Sequence, residues 1–201
     1  KLYATRQTVR FRAIDTLTLP EYKGSTFRGA LGHSFRKVSC PIICRENRTC
    51  LLRYRCAYSV CFETPIPEGA AIMRLYPFAP HPFVIEPPRD ARTRLEPGEG
   101  FELQLILIGR GNDYIAHFIY AFDELGGSGL GRGRGKAELV SLTASAADEV
   151  KLLYDKQQEA VLGTAPMLGS DDIARRTGAL AGKPLRITFE TPARIKRHEQ
   201  S

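Results

Sequence analysis

Gly24-Ser25-Thr26-Phe27-Arg28-Gly29-Ala30-Leu31-Gly32-His33-Ser34-Phe35-Arg36-Lys37-Val38 is the stretch from which the fold is read. At 3.6 residues per turn, Phe27, Leu31, Phe35 and Val38 share one face. Arg28, His33, Arg36 and Lys37 spread over the other. The spacing predicts an amphipathic helix over residues 26–38, with Ser25 as its N-cap. Gly29 and Gly32 fall on the polar side, where a glycine costs about 1 kcal/mol of helix stability. Two of them there suggest that something approaches the helix backbone; the plain alternative is a solvated face with poor helix formers.

Working outward, residues 3–14 alternate, with Val9, Phe11 and Ala13 on one side and Arg10 and Arg12 on the other, which predicts a strand that runs loosely on to Leu19. Residues 40–61 form a cysteine-rich loop. Strands are expected at 70–75, 83–86 and 101–108. A helix is expected at 112–125, where Tyr114, Ile115, Phe118, Ile119 and Phe122 recur at helical spacing. A glycine-rich stretch, Gly126-Gly127-Ser128-Gly129-Leu130-Gly131-Arg132-Gly133-Arg134-Gly135, then leads to a strand at 136–143.

The order β-α-β-β-α-β predicts an α+β, ferredoxin-like (RRM-like) domain over residues 1–143, with the cysteine-rich loop inserted after the first helix. Residues 144–184 read as a linker or helical segment, amphipathic near 149–160. A strand at 185–189, followed by Thr191-Pro192 and a basic tail, reads as the start of a second, truncated domain over 185–201.

The chain carries a net charge of +7 and a pI near 9.3, which favours a polyanionic partner, either nucleic acid or a membrane surface. The longest apolar run, residues 103–108, falls far short of the ~20 residues that a membrane span needs. The opening residues Lys1-Leu2-Tyr3-Ala4-Thr5-Arg6 do not read as a secretory signal. Five cysteines, four of them closely spaced, suit a reducing cytoplasm and a metal better than a disulfide framework.

Cys40, Cys44, Cys50 and Cys56 are the candidate ligands of a structural zinc, although only the first pair has the usual spacing. Arg45, Arg48, Arg53 and Arg55 in the same loop would favour thiolates. Small buried cysteines or an oxidised pair are the competing reading. Cys61, in an apolar stretch, reads as a packed core residue. The glycine-rich stretch lacks the Gly-Lys-Ser/Thr ending of a P-loop, and it follows a helix where a dinucleotide fingerprint follows a strand. Its backbone N–H groups, with Arg132, Arg134 and Lys136, suit a phosphate backbone; a flexible connection is the alternative.

Four stretches carry a family resemblance. Glu21-Tyr22-Lys23-Gly24-Ser25-Thr26-Phe27-Arg28-Gly29-Ala30-Leu31-Gly32 resembles the helix signature of the CRISPR pre-crRNA-processing endoribonucleases of the RAMP superfamily. The cysteine cluster ending in Cys56-Ala57-Tyr58 is similar to that of a zinc-type branch. Residues 125–135 resemble that branch's glycine-rich stretch, and Phe189-Glu190-Thr191-Pro192-Ala193-Arg194-Ile195-Lys196 resembles the opening of its second half.

The resemblance implies two tandem ferredoxin-like domains, of which this chain holds the first. It also implies metal-independent cleavage of CRISPR repeat RNA by 2′-hydroxyl attack, which leaves a 2′,3′-cyclic phosphate. Such cleavage needs a base, a cation on the phosphorane and an acid. His33 is the candidate base or acid. Lys37, one turn on, is the candidate cation, and Tyr22 is a candidate to orient or share the proton transfer. Arg28, Arg36, Arg132, Arg134 and Lys136 are the expected RNA contacts. His81, His117 and His198 lie outside the signature. The rival reading is a non-catalytic RAMP subunit that grips crRNA alongside other CRISPR effector subunits. Either protein would be cytoplasmic, with no membrane partner.

Overall fold

The computed structural model of the chain describes residues 3–40, 50–66, 69–70, 73, 76, 78–146, 149–184, 186 and 188. Its centre is β1, Tyr3–Ala13. Alternation along this strand buries Thr5, Gln7, Val9, Phe11 and Ala13 on one face and exposes Arg6, Arg10 and Arg12 on the other. Both edges of β1 are paired. β5, Gly100–Ile108, runs antiparallel along one, with Phe11 opposite Phe101. β6, Ala137–Ala146, runs antiparallel along the other, with a bulge between Arg10 and Phe11.

β3, Phe83–Glu86, adds to the outside of β5, while β7, Glu149–Asp155, and β8, Ala160–Val161, extend the sheet from β6. β9, Leu168–Gly169, pairs with the start of β1. A separate two-stranded ribbon joins β2, Leu17–Thr18, to β4, Arg94–Leu95. In chain order the central elements are β1, α1 (Gly24–Ser39), β3, β5, α2 (Ile115–Ser128) and β6. Their spatial order, β3-β5-β1-β6, is that of a ferredoxin-like sheet, so the expected α+β class is the observed one.

Both helices pack on the face that β1 buries. Phe27, Leu31 and Phe35 of α1 and Phe118, Ile119, Phe122 and Leu125 of α2 join Val9, Phe11, Leu103, Leu105, Leu107, Leu139 and Leu142 in one core. Phe11 stacks on Phe101 at 5.2 Å and meets the edge of Phe122 at 6.1 Å; Phe35 packs on Phe118 at 4.7 Å. Each such ring contributes about 1.5–3 kcal/mol by burial.

Several expectations are corrected. α1 begins two residues early, at Gly24, with Lys23 rather than Ser25 at its N-cap and no side-chain cap. Lys23 is buried, and its ammonium donates to the Asp90 carbonyl at 2.8 Å, which ties the helix start to the β3–β4 connection. Val38 is exposed: the buried stripe of α1 ends at Ser34 and Phe35. The second helix begins at Ile115 after a 3₁₀ turn, Gly109–Tyr114, and it absorbs Gly126 and Gly127.

The amphipathic stretch at 149–160 is not helical. Its residues 149–155 form β7, because β6 offers an open edge and Val-Lys-Leu-Leu-Tyr suits a strand. The helix of this region is instead α3, Ser170–Leu180. The strand expected at 70–75 falls mostly outside the described residues; Ala70 and Met73, which are described, are not in a strand. The expected strand at 185–189 and the rest of 185–201 lie outside them too, apart from Arg186 and Thr188. Among the described residues, no helix is long and apolar enough to cross a membrane.

Phe11 is the hinge of this packing. Phe11→Ala should destabilise the domain by about 3–5 kcal/mol. Urea denaturation reads this as a lower midpoint at constant slope; a loss under about 1 kcal/mol would show that β1 does not organise the core.

Candidate nucleic-acid interface

Charge is distributed unevenly along the chain. Residues 23–55 hold eight basic residues and one acidic residue, so the whole net charge of +7 lies in α1 and the cysteine-rich loop. The other residues balance. On the open face of the sheet, each arginine of β1 meets a carboxylate on another strand, Arg10 and Arg12 on the adjacent β5 and β6 and Arg6 across β5 on β3. Arg6 pairs with Glu86 at 2.6 Å, Arg10 with Glu102 at 3.3 Å and Arg12 with Glu138 at 3.4 Å. That face is therefore neutral, and the field that attracts a polyanion comes from α1 and its surroundings.

The outer face of α1 has two flanks. On one, the Arg28 guanidinium lies 5.4 Å over the Phe83 ring, and that of Arg36 lies 5.5 Å over Tyr58. Tyr58 in turn stacks on Phe62 at 5.4 Å with the planes nearly parallel. Gly32 makes room for this packing, since a Cβ there would come within 3.3 Å of Phe62. Burial, more than the neighbouring Glu63, raises the Tyr58 hydroxyl above its ordinary value, so it stays protonated at neutral pH. Between the flanks, Gly29 is open, with nothing near the place where its Cβ would be.

On the other flank, Lys37 donates to Glu124 of α2 at 2.5 Å, and Ser128 donates to the same carboxylate oxygen. These two hydrogen bonds, with smaller help from Lys37 and His33 charge, hold the Glu124 carboxyl below its ordinary value. His33 is exposed beside this pair. Sequence reasoning named Tyr58 only as the end of the cysteine cluster and did not single out Glu124, which shares no motif with α1.

His33 and Lys37 are thus brought together. Tyr22, 71% exposed, is not: its ring folds back over Gly24, about 14 Å along the helix axis from His33. His81 is half-buried against Phe83, and burial lowers its ordinary value. His117 packs between Phe35 and Tyr114, and His198 lies outside the described residues.

The glycine-rich stretch is a closed turn on β2. Arg132 N–H donates to Thr18 O at 2.9 Å, and Leu130 N–H to Gly135 O at 2.8 Å. At Gly131, with φ of 66°, a Cβ would lie 2.1 Å from Thr18 O. At Gly135 it would lie 2.4 Å from Thr16 O. Close backbone packing thus accounts for these glycines, and the exposed groups that remain for a phosphate are the side chains of Arg132, Arg134 and Lys136.

Of the candidate zinc ligands, Cys40, Cys50 and Cys56 are half-buried, and Cys44 lies outside the described residues. Among the described residues, no three His, Cys, Asp or Glu side chains are grouped to hold a metal. Cys61 is a core residue as expected, its thiol pushed up to about 12, chiefly by burial and also by Cys56.

Residues 2–166 match the family model AF_1859_N, described as an N-terminal domain. Among solved structures, the chain is similar to one described as the crystal structure of a Csm3-Csm4 subcomplex in the type III-A CRISPR-Cas interference complex. The identity is 15% and the TM-score 0.45, over 75% of this chain and 80% of that one. No curated protein matches the sequence significantly.

The Lys37–Glu124 pair makes stability depend on pH. A carboxyl held below its ordinary value stabilises the fold above that value, and the contribution is lost as pH falls through the folded one. Between about pH 5 and pH 3, wild type should therefore lose more stability than Glu124→Gln, as read from urea midpoints across that range. Parallel pH profiles would show that the pair contributes nothing.

Proposed function

The chain belongs to the AF_1859_N N-terminal-domain family, and from that premise we propose that it grips CRISPR repeat RNA along α1, as the first half of a metal-independent processing endoribonuclease. The observation that carries this reading is the concentration of the entire excess charge in α1 and the adjoining loop, while the open sheet face is neutralised by its own ion pairs. Phosphate contacts supply most of the affinity for RNA. The four stretches that resemble the RAMP endoribonucleases, together with the ferredoxin-like strand order, support the family-level reading. The family's description as an N-terminal domain supports placing residues 2–166 before a second half.

In the cleavage step, the repeat's 2′-oxygen attacks the adjacent phosphorus as its proton passes to a base, and the P–O5′ bond breaks as the 5′-oxygen gains a proton. The 2′,3′-cyclic phosphate and a 5′-hydroxyl result. His33 is the proposed proton carrier, and Glu124 beside it would steady the imidazolium. Arg28 and Arg36, supported on aromatic rings, would hold the phosphates, with Arg132, Arg134 and Lys136 as a second contact. Tyr22 would act only from a strand that spans both ends of α1.

One observation favours the non-catalytic gripping subunit: Lys37, the proposed phosphorane cation, is already engaged by Glu124. Other CRISPR effector subunits would then be the protein partners, and the cytoplasm the compartment in either case. Zinc held by Cys40, Cys44, Cys50 and Cys56 is proposed as a staple for the loop, with no role in the chemistry.

The full-length protein should cut repeat RNA in EDTA and leave cyclic-phosphate ends. His33→Ala should slow the cut by about 10²–10⁴-fold while barely changing RNA affinity. Cutting at the wild-type rate would remove His33 from the chemistry; no cutting by wild type would favour the gripping subunit. Elemental analysis of protein purified without chelator should find about one zinc per chain, and metal-free protein with an oxidised cysteine pair would refute the staple.

A further inference from the structure

A cavity of about 360 Å³ opens beside the cysteine-rich loop, at the edge of the domain where β3 begins. Its walls are apolar: Val60, Pro65, Ala79, Pro80 and Pro82. Tyr54 and Arg110 complete the lining with Thr64. We infer that this cavity receives one unstacked nucleobase of a single-stranded RNA, an inference that rests on the RNA-binding reading above.

The site is held in shape. Thr64 adopts a left-handed φ of 43° at the end of a short π-helical turn, Ser59–Glu63. A non-glycine residue keeps such a backbone only where its surroundings enforce it. Here its hydroxyl donates to Ala79 O at 2.6 Å, and Ala79 N–H donates to Thr64 O at 2.9 Å. Pro82 O accepts from Ile108 N–H at 2.9 Å, and Gly111 packs so close that a Cβ would lie 2.3 Å from the same oxygen. The glycine therefore lets the Arg110 turn sit against the proline wall.

The chemistry of the lining selects the occupant. Cavities of this size suit a small organic group. The prolines offer no N–H, and the Thr64 hydroxyl is already donated, so the walls bind by shape and stacking rather than by hydrogen-bond pattern. The Tyr54 ring carries the Arg53 guanidinium 4.5 Å above it, and Arg53 also donates to the Tyr54 hydroxyl. Arg110 lines this apolar slot and Arg53 lies on its Tyr54 ring, at the end of the segment that bears the chain's whole excess charge. A flat apolar group attached to anions matches that combination. In single-stranded RNA, splayed bases stack on tyrosine and arginine while their phosphates meet basic side chains. The apolar walls themselves do not discriminate among bases, while the Tyr54 hydroxyl and the Arg110 guanidinium in the lining can bond to a base edge or its phosphate.

The test uses a set of single-stranded repeat RNA oligonucleotides, each with 2-aminopurine at one position. Wild-type protein should change the fluorescence strongly at one position, because that base leaves its neighbours and enters the cavity. Ala79→Leu fills the cavity; it should abolish that change and weaken binding by about 5- to 100-fold. Arg110→Ala, a change at an exposed side chain, should lower the log–log salt slope of binding by about 0.7. Wild-type affinity, fluorescence and salt slope in both variants would overturn the inference and leave the cavity to another occupant, such as a partner's side chain. Failure of the wild type to bind RNA would overturn the RNA-binding reading and this one with it.

Discussion

The rest of the structure depends on β1 being paired along both edges at once. Its partners, β5 and β6, lie about 90 and 130 residues further along the chain. Closing those long loops costs entropy that the ladder and the buried stripe of Val9, Phe11 and Ala13 must offset together. The Phe11–Phe101 stack sits where this is decided, between a strand pair and the two helices. Once β1 is fixed, the helices have one place to put their apolar faces, and α1 necessarily turns its basic face outward.

Charge then divides the molecule. Arg10 and Arg12 of β1 stand opposite glutamates on the adjacent strands, Arg6 reaches across β5 to Glu86 of β3, and each pair cancels locally. Basic residues on α1 meet few acids. Lys37 finds Glu124, while Arg28 lies over the Phe83 ring and Arg36 over the Tyr58 ring. An arginine packed over a ring loses rotamer freedom, which would lower the entropic cost of gripping a phosphate. The same flank leads to the Tyr58–Phe62 stack and the π-helical turn, beside which the proline-walled cavity opens; a strand of RNA bound as proposed would run along it.

The glycine-rich turn shows how one signal supports two physical causes. Read as composition, its glycines suggest a bare backbone for a phosphate. In place, Gly131 and Gly135 are required by the approach of the Thr16 and Thr18 carbonyls, and Arg132 gives its N–H to Thr18. The N–H groups of Leu130, Arg132 and Arg134 are used within this packing, while the arginine side chains of the turn stay exposed.

By itself, the sequence determined the elements whose evidence is periodic and local. The stripe of Phe27, Leu31 and Phe35, the alternation of Val9, Phe11 and Ala13, and the buried Cys61 were legible because burial repeats at the period of the backbone. What ran against the reading was decided by distant partners. β7 is a strand because β6 left an edge open, and Lys23 is a buried structural lysine because the Asp90 carbonyl meets it. Glu124 stands beside His33 and Lys37, and Tyr22 does not, because two helices cross there while one helix separates its own ends. The cavity at Thr64 joins residues from three separate stretches. Only the tertiary structure could decide these features, because which charges meet and which backbones touch depends on distances through space that spacing along the chain does not encode.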